Sequence, residues 1–129
     1  MAGAGLACAW RMTPDELKQR TKTFAVRIVT LSRALPDDSA TSVMAKQLVR
    51  SGMSVGANYR ASCRAKSRAD FVSRMTTVEE EAGETKYWLE LLVETSTVGP
   101  DSVAALLDEA DQLVRIVVAS IKTARVGRR

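Results

Sequence analysis

The chain has 129 residues, a length that suits one domain, and carries a net charge of +4. Its hydrophobic content of 46% excludes a disordered segment, and the scarcity of aromatic residues, at 5%, favours helix. Because the sequence contains no histidine and no Gly-x-x-x-x-Gly-Lys phosphate loop, we predict a protein that is not an enzyme and needs no metal or cofactor.

The amino-terminal residues are small and irregular, and we predict that residues 1–12 form a flexible tail. They lack the early positive charge and long apolar core of a signal peptide. No apolar run in the chain approaches the roughly 18 residues that span a membrane. The two cysteines, Cys8 and Cys63, are expected to be reduced thiols rather than a disulfide, so we predict a cytoplasmic protein.

The first helix is predicted near residues 14–34. Thr13 and Glu16 form a capping box around Pro14, a residue favoured at the first helical position. The helix is expected to end before Pro36, because the residue preceding a proline disfavours the helical conformation. Between these limits one face repeats at steps of four and three: Leu17, Thr21, Phe24, Ile28, Leu31 and Leu35.

The second and third helices are predicted near residues 40–63 and 68–94, joined by a basic turn into an antiparallel hairpin. Ser67, with Asp70 three residues later, resembles a capping box, so the third is expected to start near Arg68. Its seam has the spacing of a packed bundle helix: Phe71, Met75, Val78, Ala82, Thr85, Leu89 and Leu92.

The second helix has a thinner apolar face with two glycines, Gly52 and Gly56, in its interior. Each glycine costs about 1 kcal/mol relative to alanine in a helix interior. Two interpretations remain open: a neighbouring helix approaches closely at this point, or the helix kinks there.

The fourth helix is predicted near residues 101–124, with a wide apolar stripe that keeps helical spacing. We therefore predict an all-α protein, an up-down-up-down antiparallel four-helix bundle over residues 13–125. Residues 126–129 would form a basic carboxy-terminal tail.

The hairpin turn also predicts which residues face each other, because numbers on the two helices should sum to about 131. This places Arg50 opposite Glu81, close to Glu84, and we predict a buried pair in a structural network that includes Asn58. Alternatively, Arg50 reaches a neighbouring subunit. Asn58 is either a buried amide that fixes the register or a polar residue at a fraying helix end.

A run of acids could be read as a cation site: Glu79, Glu80, Glu81 and Glu84. Carboxylates of this kind could hold magnesium. We favour the alternative that some are solvated and the others pair with bases on the facing helix, so no metal ligand is assigned.

Three segments of the hairpin carry a specific resemblance: RSGMSVGANYR, SRADF and EAGETKYWLELL. The chain, from about Leu17 to Ile121, resembles the four-helix-bundle proteins named for intervening sequences of large-subunit ribosomal RNA genes, the S23-like family. Related sequences commonly carry an acid where this chain has Ala61. The resemblance implies a homopentamer without a settled activity, and a related group of pentamers is thought to bind nucleic acid while assisting reverse transcriptases.

Surplus apolar surface also argues for self-association, since a lone bundle could not cover it. Trp88 and Leu91 flank the seam of the third helix, and together with Val26, Val29 and the wide stripe of the fourth helix they make up this surplus. Tyr87, Trp88 and Leu91 are the predicted oligomer interface. These aromatic residues are more typical of packing than of ligand platforms.

The charge distribution points to a basic pole. Residues 46–74 hold seven bases and one acid, whereas residues 75–111 hold one base and ten acids. In an up-down bundle, one end should collect the candidate nucleic-acid-binding residues Arg60, Arg64, Lys66, Arg68, Lys122 and Arg125. Phosphate backbones of RNA or DNA are the expected partner. The alternatives are that these bases merely complement helix dipoles, or that the protein is a scaffold for a protein partner.

Overall fold

The computed structural model describes residues 12–126, which form four α-helices and contain no strand. These are α1 (Pro14–Arg33), α2 (Ser39–Ser62), α3 (Arg68–Glu94) and α4 (Pro100–Val126). The predicted all-α fold is confirmed. The tail residues 1–11 and 127–129 lie outside the described residues, whereas Met12, which we assigned to the tail, is half-buried against the core.

Side chains cap the helices where the sequence predicted helix starts. The hydroxyl of Thr13 accepts from the backbone N–H of Glu16 at 3.1 Å, and the Glu16 carboxylate accepts from the N–H of Thr13 at 2.8 Å. Asp38 caps α2 and Ser67 caps α3 in the same manner. These bonds satisfy backbone donors that have no partner within the helix, which fixes the helix starts.

Contacts between successive helices show an antiparallel arrangement. Gly56 of α2 lies against Thr21 of α1, and Gly52 lies against Ile28, so the facing residues run in opposite directions. Between α3 and α4, Lys86 pairs with Asp111 while Glu94 lies near Pro100. Between α1 and α4, Arg20 pairs with Glu109 while Leu31 lies near Ser102. The four helices therefore form a square in chain order, with α1 returning beside α4.

One apolar core runs the length of this square. Its largest fully buried side chains come from all four helices: Phe24, Ile28, Leu48, Met75, Leu89, Leu92 and Leu113. Two buried hydroxyls, Ser51 and Thr85, lie 2.9 Å apart between α2 and α3, and each also reaches a carbonyl of its own helix. Their mutual contact satisfies polar groups that would otherwise be costly to bury.

The glycines of α2 allow α1 to approach closely. A Cβ atom at Gly52 would lie 2.9 Å from Cγ2 of Ile28, and one at Gly56 would lie 3.1 Å from Oγ1 of Thr21. Because α2 is continuous from Ser39 to Ser62, the structure favours close packing over a kink. Within residues 12–126, every helix is too short or too polar to cross a membrane.

Candidate functional site

The middle of the hairpin carries a charged network on its outer side. Arg50 donates to Glu81 at 3.2 Å and also contacts the carboxylate of Glu84, while its Nε donates to Gln47 at 3.2 Å. The structure thus brings Arg50 together with both expected acids. The expected burial is wrong, because the Arg50 side chain is 46% exposed. Its angular position on α2 points it away from the core, where water screens the pair.

Asn58 is not part of this network. It is half-buried, and its amide donates to the carbonyl of Ser54 one turn earlier in α2 at 2.9 Å. Neither of the two interpretations offered for it holds, since the helix continues to Ser62 and the amide bonds within its own helix. Sequence spacing placed Asn58 near the seam but could not show which partner its amide would choose.

Glu84 has a second partner in Trp88, whose indole Nε1 donates to the carboxylate at 3.0 Å. The hydrogen bonds from Trp88 and from Arg50 lower the pKa of Glu84 below its usual range. A lowered folded-state pKa favours folding at pH values above the unfolded pKa. That contribution is lost as the pH falls through the folded-state pKa.

We expect Trp88→Phe to raise the pKa of Glu84, because phenylalanine keeps a ring but has no N–H to donate. An NMR titration of the side-chain carboxyl carbons measures this change. Asp111 is the internal control. Its pKa is held low by Lys86, which lies on the side of α3 away from Glu84. An unchanged Glu84 titration would show that the indole bond does not stabilise the carboxylate.

The acidic run does not form a cation site. Arg50 engages Glu81 and Glu84, whereas Glu79 and Glu80 lie at other angles around α3. In the part of the chain that the structure describes, no group of three or more acidic or cysteine side chains is arranged to hold a metal ion.

The predicted interface residues lie on the outside of α3. Tyr87 is 54% exposed, and its ring meets that of Trp88 edge to face with centroids 5.0 Å apart. Trp88 and Leu91 are half-buried and pack against the core. Trp88 and Leu91 therefore hold this surface against the core, while the ring of Tyr87 is open to contact.

The six candidate nucleic-acid-binding residues occupy the end of the bundle where α2 meets α3 and α4 ends. We call this end the basic pole; its residues are Arg60, Arg64, Lys66, Arg68, Lys122 and Arg125. All six are exposed, and none forms a salt bridge with a described residue. Arg68 and Arg125 line the same open groove of about 840 Å³ between α3 and α4.

Acids also lie at this pole. Asp70 accepts from the backbone N–H of Lys66 at 3.1 Å and from Arg74, so its charge is locally engaged. Asp15 at the start of α1 is close enough to Tyr59 to help raise the pKa of that hydroxyl, an effect caused mainly by burial. The pole is therefore basic on balance, and is less uniform than the sequence count suggested.

The two halves of the bundle, divided across its long axis, nevertheless carry net charges of opposite sign. Residues 14–23, 52–80 and 113–126 form the half at the α2–α3 turn and hold eleven bases and five acids. Residues 24–51 and 81–112 form the other half and hold five bases and ten acids. An anion approaching the bundle is attracted to the first half and repelled by the second.

Sequence reasoning missed a second network, which connects α1 to α4. The guanidinium of Arg20 binds both oxygens of Glu109, at 2.6 and 2.8 Å, and also donates to Gln112 at 2.6 Å. Both charged side chains are largely buried, with 26% and 16% exposed. The partners are 89 positions apart in the sequence, so no local spacing indicates the pair. Only the return of α4 beside α1 identifies the pair.

Comparisons with known proteins agree with this fold. Residues 15–119 match the family model described as 23S rRNA-intervening sequence protein. The chain is also similar to a crystal structure from Bacteroides thetaiotaomicron, described as a protein of unknown function from the S23 ribosomal protein family. The two share 38% sequence identity with a TM-score of 0.80, over 87% of this chain and 100% of the other. A search of curated protein sequences finds no significant match.

Proposed function

The chain belongs to the 23S rRNA-intervening sequence protein family, and from this premise we propose that it is a non-enzymatic, homo-oligomeric helical bundle whose basic pole binds RNA or DNA. The pentamer is the expected assembly on family resemblance. In a ring of any size, cyclic symmetry turns every basic pole to the same side. The assembly would thus present one positively charged face to a nucleic acid and could assist another enzyme acting on it.

One observation carries the proposal: six exposed bases at one end of the bundle have no carboxylate partner among the described residues. Elsewhere, Arg20 and Arg50 are held by carboxylates and cannot turn to a ligand without losing those bonds. The side chains of the basic pole have no ion pair with a described residue to exchange, although Arg64 would give up its bond to the carbonyl of Arg60. Phosphate groups repeat along every RNA or DNA strand, so one strand can contact several of these bases at once.

Helix dipoles do not account for the basic pole. A base near a helix carboxy terminus is stabilised by the dipole, which suits Arg60 in α2 and Arg125 in α4. Arg68 is the first residue of α3, where the dipole disfavours a positive charge. Arg64 donates to the carbonyl of Arg60 in the last turn of α2 at 3.2 Å, so it also complements that helix end. Lys66 lies in the connection between helices, and it is Lys66 and Arg68 that favour an external anion over dipole complementation.

The test removes four bases together, in the variant Arg60→Ala, Arg64→Ala, Lys66→Ala and Arg68→Ala. We expect affinity for both single-stranded and duplex nucleic acid to fall by roughly tenfold or more at fixed salt, because each substitution removes a positive charge that can neutralise a phosphate. The slope of log affinity against log salt concentration should become less negative by up to about 3 on single strands. Filter binding across a salt series measures both quantities.

The matched control also removes four exposed bases, but from other parts of the surface: Arg27→Ala, Arg33→Ala, Lys46→Ala and Arg115→Ala. Both variants have the same net charge, so a difference between them reports position rather than total charge. Light scattering tests whether each retains the parent's assembly, and where the four-base control does not, Arg27→Ala with Arg115→Ala is compared with Arg64→Ala with Lys66→Ala at equal net charge. If the parent fails to bind at low salt, or both variants bind alike, the scaffold for a protein partner becomes the better proposal.

A further inference from the structure

The exposed apolar side chains of the bundle fall into two separate groups. Among residues 12–126, five large hydrophobic side chains are at least half exposed, and one of them is Val126 at the end of α4. Val43 and Tyr87 belong to α2 and α3, whereas Val26 and Met53 belong to α1 and α2. A bundle with two apolar surfaces can contact two neighbours at once.

The first surface is the aromatic patch, made of Val43, Tyr87, Trp88 and Leu91. The contacts of Arg50 with Glu81 and Glu84 set the register of the hairpin. Val43 is two turns before Arg50, so in an antiparallel pair it lies beside residues two turns after those acids. The aromatic patch is therefore continuous across α2 and α3.

The second surface is the aliphatic patch, made of Val26, Val29, Val49 and Met53. Its register follows from the contact of Gly52 with Ile28, which places Met53 beside Val26 and Val49 beside Val29. Val49 packs partly against the core, while Val26 and Met53 are 58% and 50% exposed. This patch is continuous across α1 and α2.

Charges of opposite sign surround the two patches. Three exposed acids of α3 lie within two turns of Tyr87 along the helix: Glu80, which also lines the groove with Arg68 and Arg125, and Glu90 and Glu94, which line a groove with α4. Exposed bases of α1 and α2 that form no salt bridge with a described residue flank the aliphatic patch: Lys22, Arg33 and Lys46. Two aromatic patches would bring acids against acids, whereas an aromatic and an aliphatic patch bring acids against bases.

We propose that the aromatic patch of one subunit packs on the aliphatic patch of the next, a head-to-tail contact that builds the ring. The assignment rests on the homo-oligomer of the proposed function and names its two surfaces. The patches lie on adjacent sides of the four-helix square. Contacts through adjacent sides turn at each subunit and form a ring when that rotation closes, whereas contacts through opposite sides extend a line.

Two variants test the assignment. The aromatic-patch variant carries Val43→Glu and Tyr87→Glu, and the aliphatic-patch variant carries Val26→Glu and Met53→Glu. All four side chains are at least half exposed, so circular dichroism should show unchanged helix content. Each variant alone should lose the assembly and scatter light as a single subunit, because a carboxylate would have to be buried in the contact.

Mixing the two variants gives the decisive result. Each retains the patch that the other has lost, so an equimolar mixture should form dimers with one intact contact and no further growth. If the contact instead paired identical patches, the variant that keeps that patch would retain the parent's mass, or the mixture would form no dimers. Either result would overturn the assignment.

The control is Ala105→Glu, which adds an exposed acid on the α1–α4 side and should preserve the parent's mass. If a double variant loses helix content, a smaller polar change takes its place: Tyr87→Ser for the aromatic patch and Met53→Ser for the aliphatic patch. The measurements use no nucleic acid and leave the basic pole intact. A failure of nucleic-acid binding is thus distinguishable from a failure of this contact.

Discussion

Gly52→Ala is expected to destabilise the bundle by up to about 2 kcal/mol, although alanine is the better helix former. The added Cβ would lie 2.9 Å from Cγ2 and 3.0 Å from Cγ1 of Ile28, which is fully buried and branched at Cβ. Overpacking of this kind costs about 1–3 kcal/mol, and the gain of about 1 kcal/mol in helix propensity offsets only part of it. Denaturant unfolding measures the difference.

Gly83→Ala is the matched control, since Gly83 is also inside a helix but has no packing neighbour within 4 Å of the place that a Cβ would take. We expect this change to stabilise the protein by about 0.5–1 kcal/mol through helix propensity alone. The double variant Gly52→Ala with Ile28→Ala should be destabilised by less than the sum of the two single variants, because alanine at 28 removes both Cγ atoms from the crowded contact. Equal effects of alanine at both glycines would contradict the close approach of α1 to α2.

Arg20→Ala should cost about 2 kcal/mol of folding free energy and loosen α1 from α4. Breaking a buried ion pair typically costs about 3–5 kcal/mol and an exposed one about 0.2–1 kcal/mol. The pair with Glu109 lies between these limits, since roughly a quarter of Arg20 remains exposed. The substitution leaves Glu109 without its bidentate partner, and thermal unfolding measures the effect as a fall in Tm of several degrees.

Arg27→Ala provides the comparison, because Arg27 lies on the same side of α1, is exposed and forms no salt bridge with a described residue. Its removal is expected to change the folding free energy by no more than about 0.5 kcal/mol. Arg20→Lys should recover only part of the stability, since an ammonium group cannot bind both carboxylate oxygens in the same planar geometry. Full rescue by lysine would mean that charge alone, rather than the bidentate bond, connects α1 to α4.

Local patterns in the sequence were sufficient for the helices and their starts. The capping box at Thr13 and the cap at Ser67 involve residues three apart, and the seam of α3 repeats every three or four residues. These signals act within one or two turns, so they do not depend on the rest of the fold. The register of the hairpin followed as well, because a short turn between two long helices leaves little freedom, and it placed Arg50 near Glu81 and Glu84.

The sequence could not decide which side chains are buried at the edges of helices or which distant helices meet. Arg50 was expected inside and lies at the surface, because a shift of one position around a helix turns a side chain by about 100°. The bonds from Arg20 to Glu109 and Gln112 depend on the return of α4 beside α1. The sequence by itself thus determined four helices, their caps and the unequal distribution of charge. The tertiary structure alone decided the contact of α1 with α4 and the separation of two apolar patches, because both depend on how whole helices rotate against each other to fill one core.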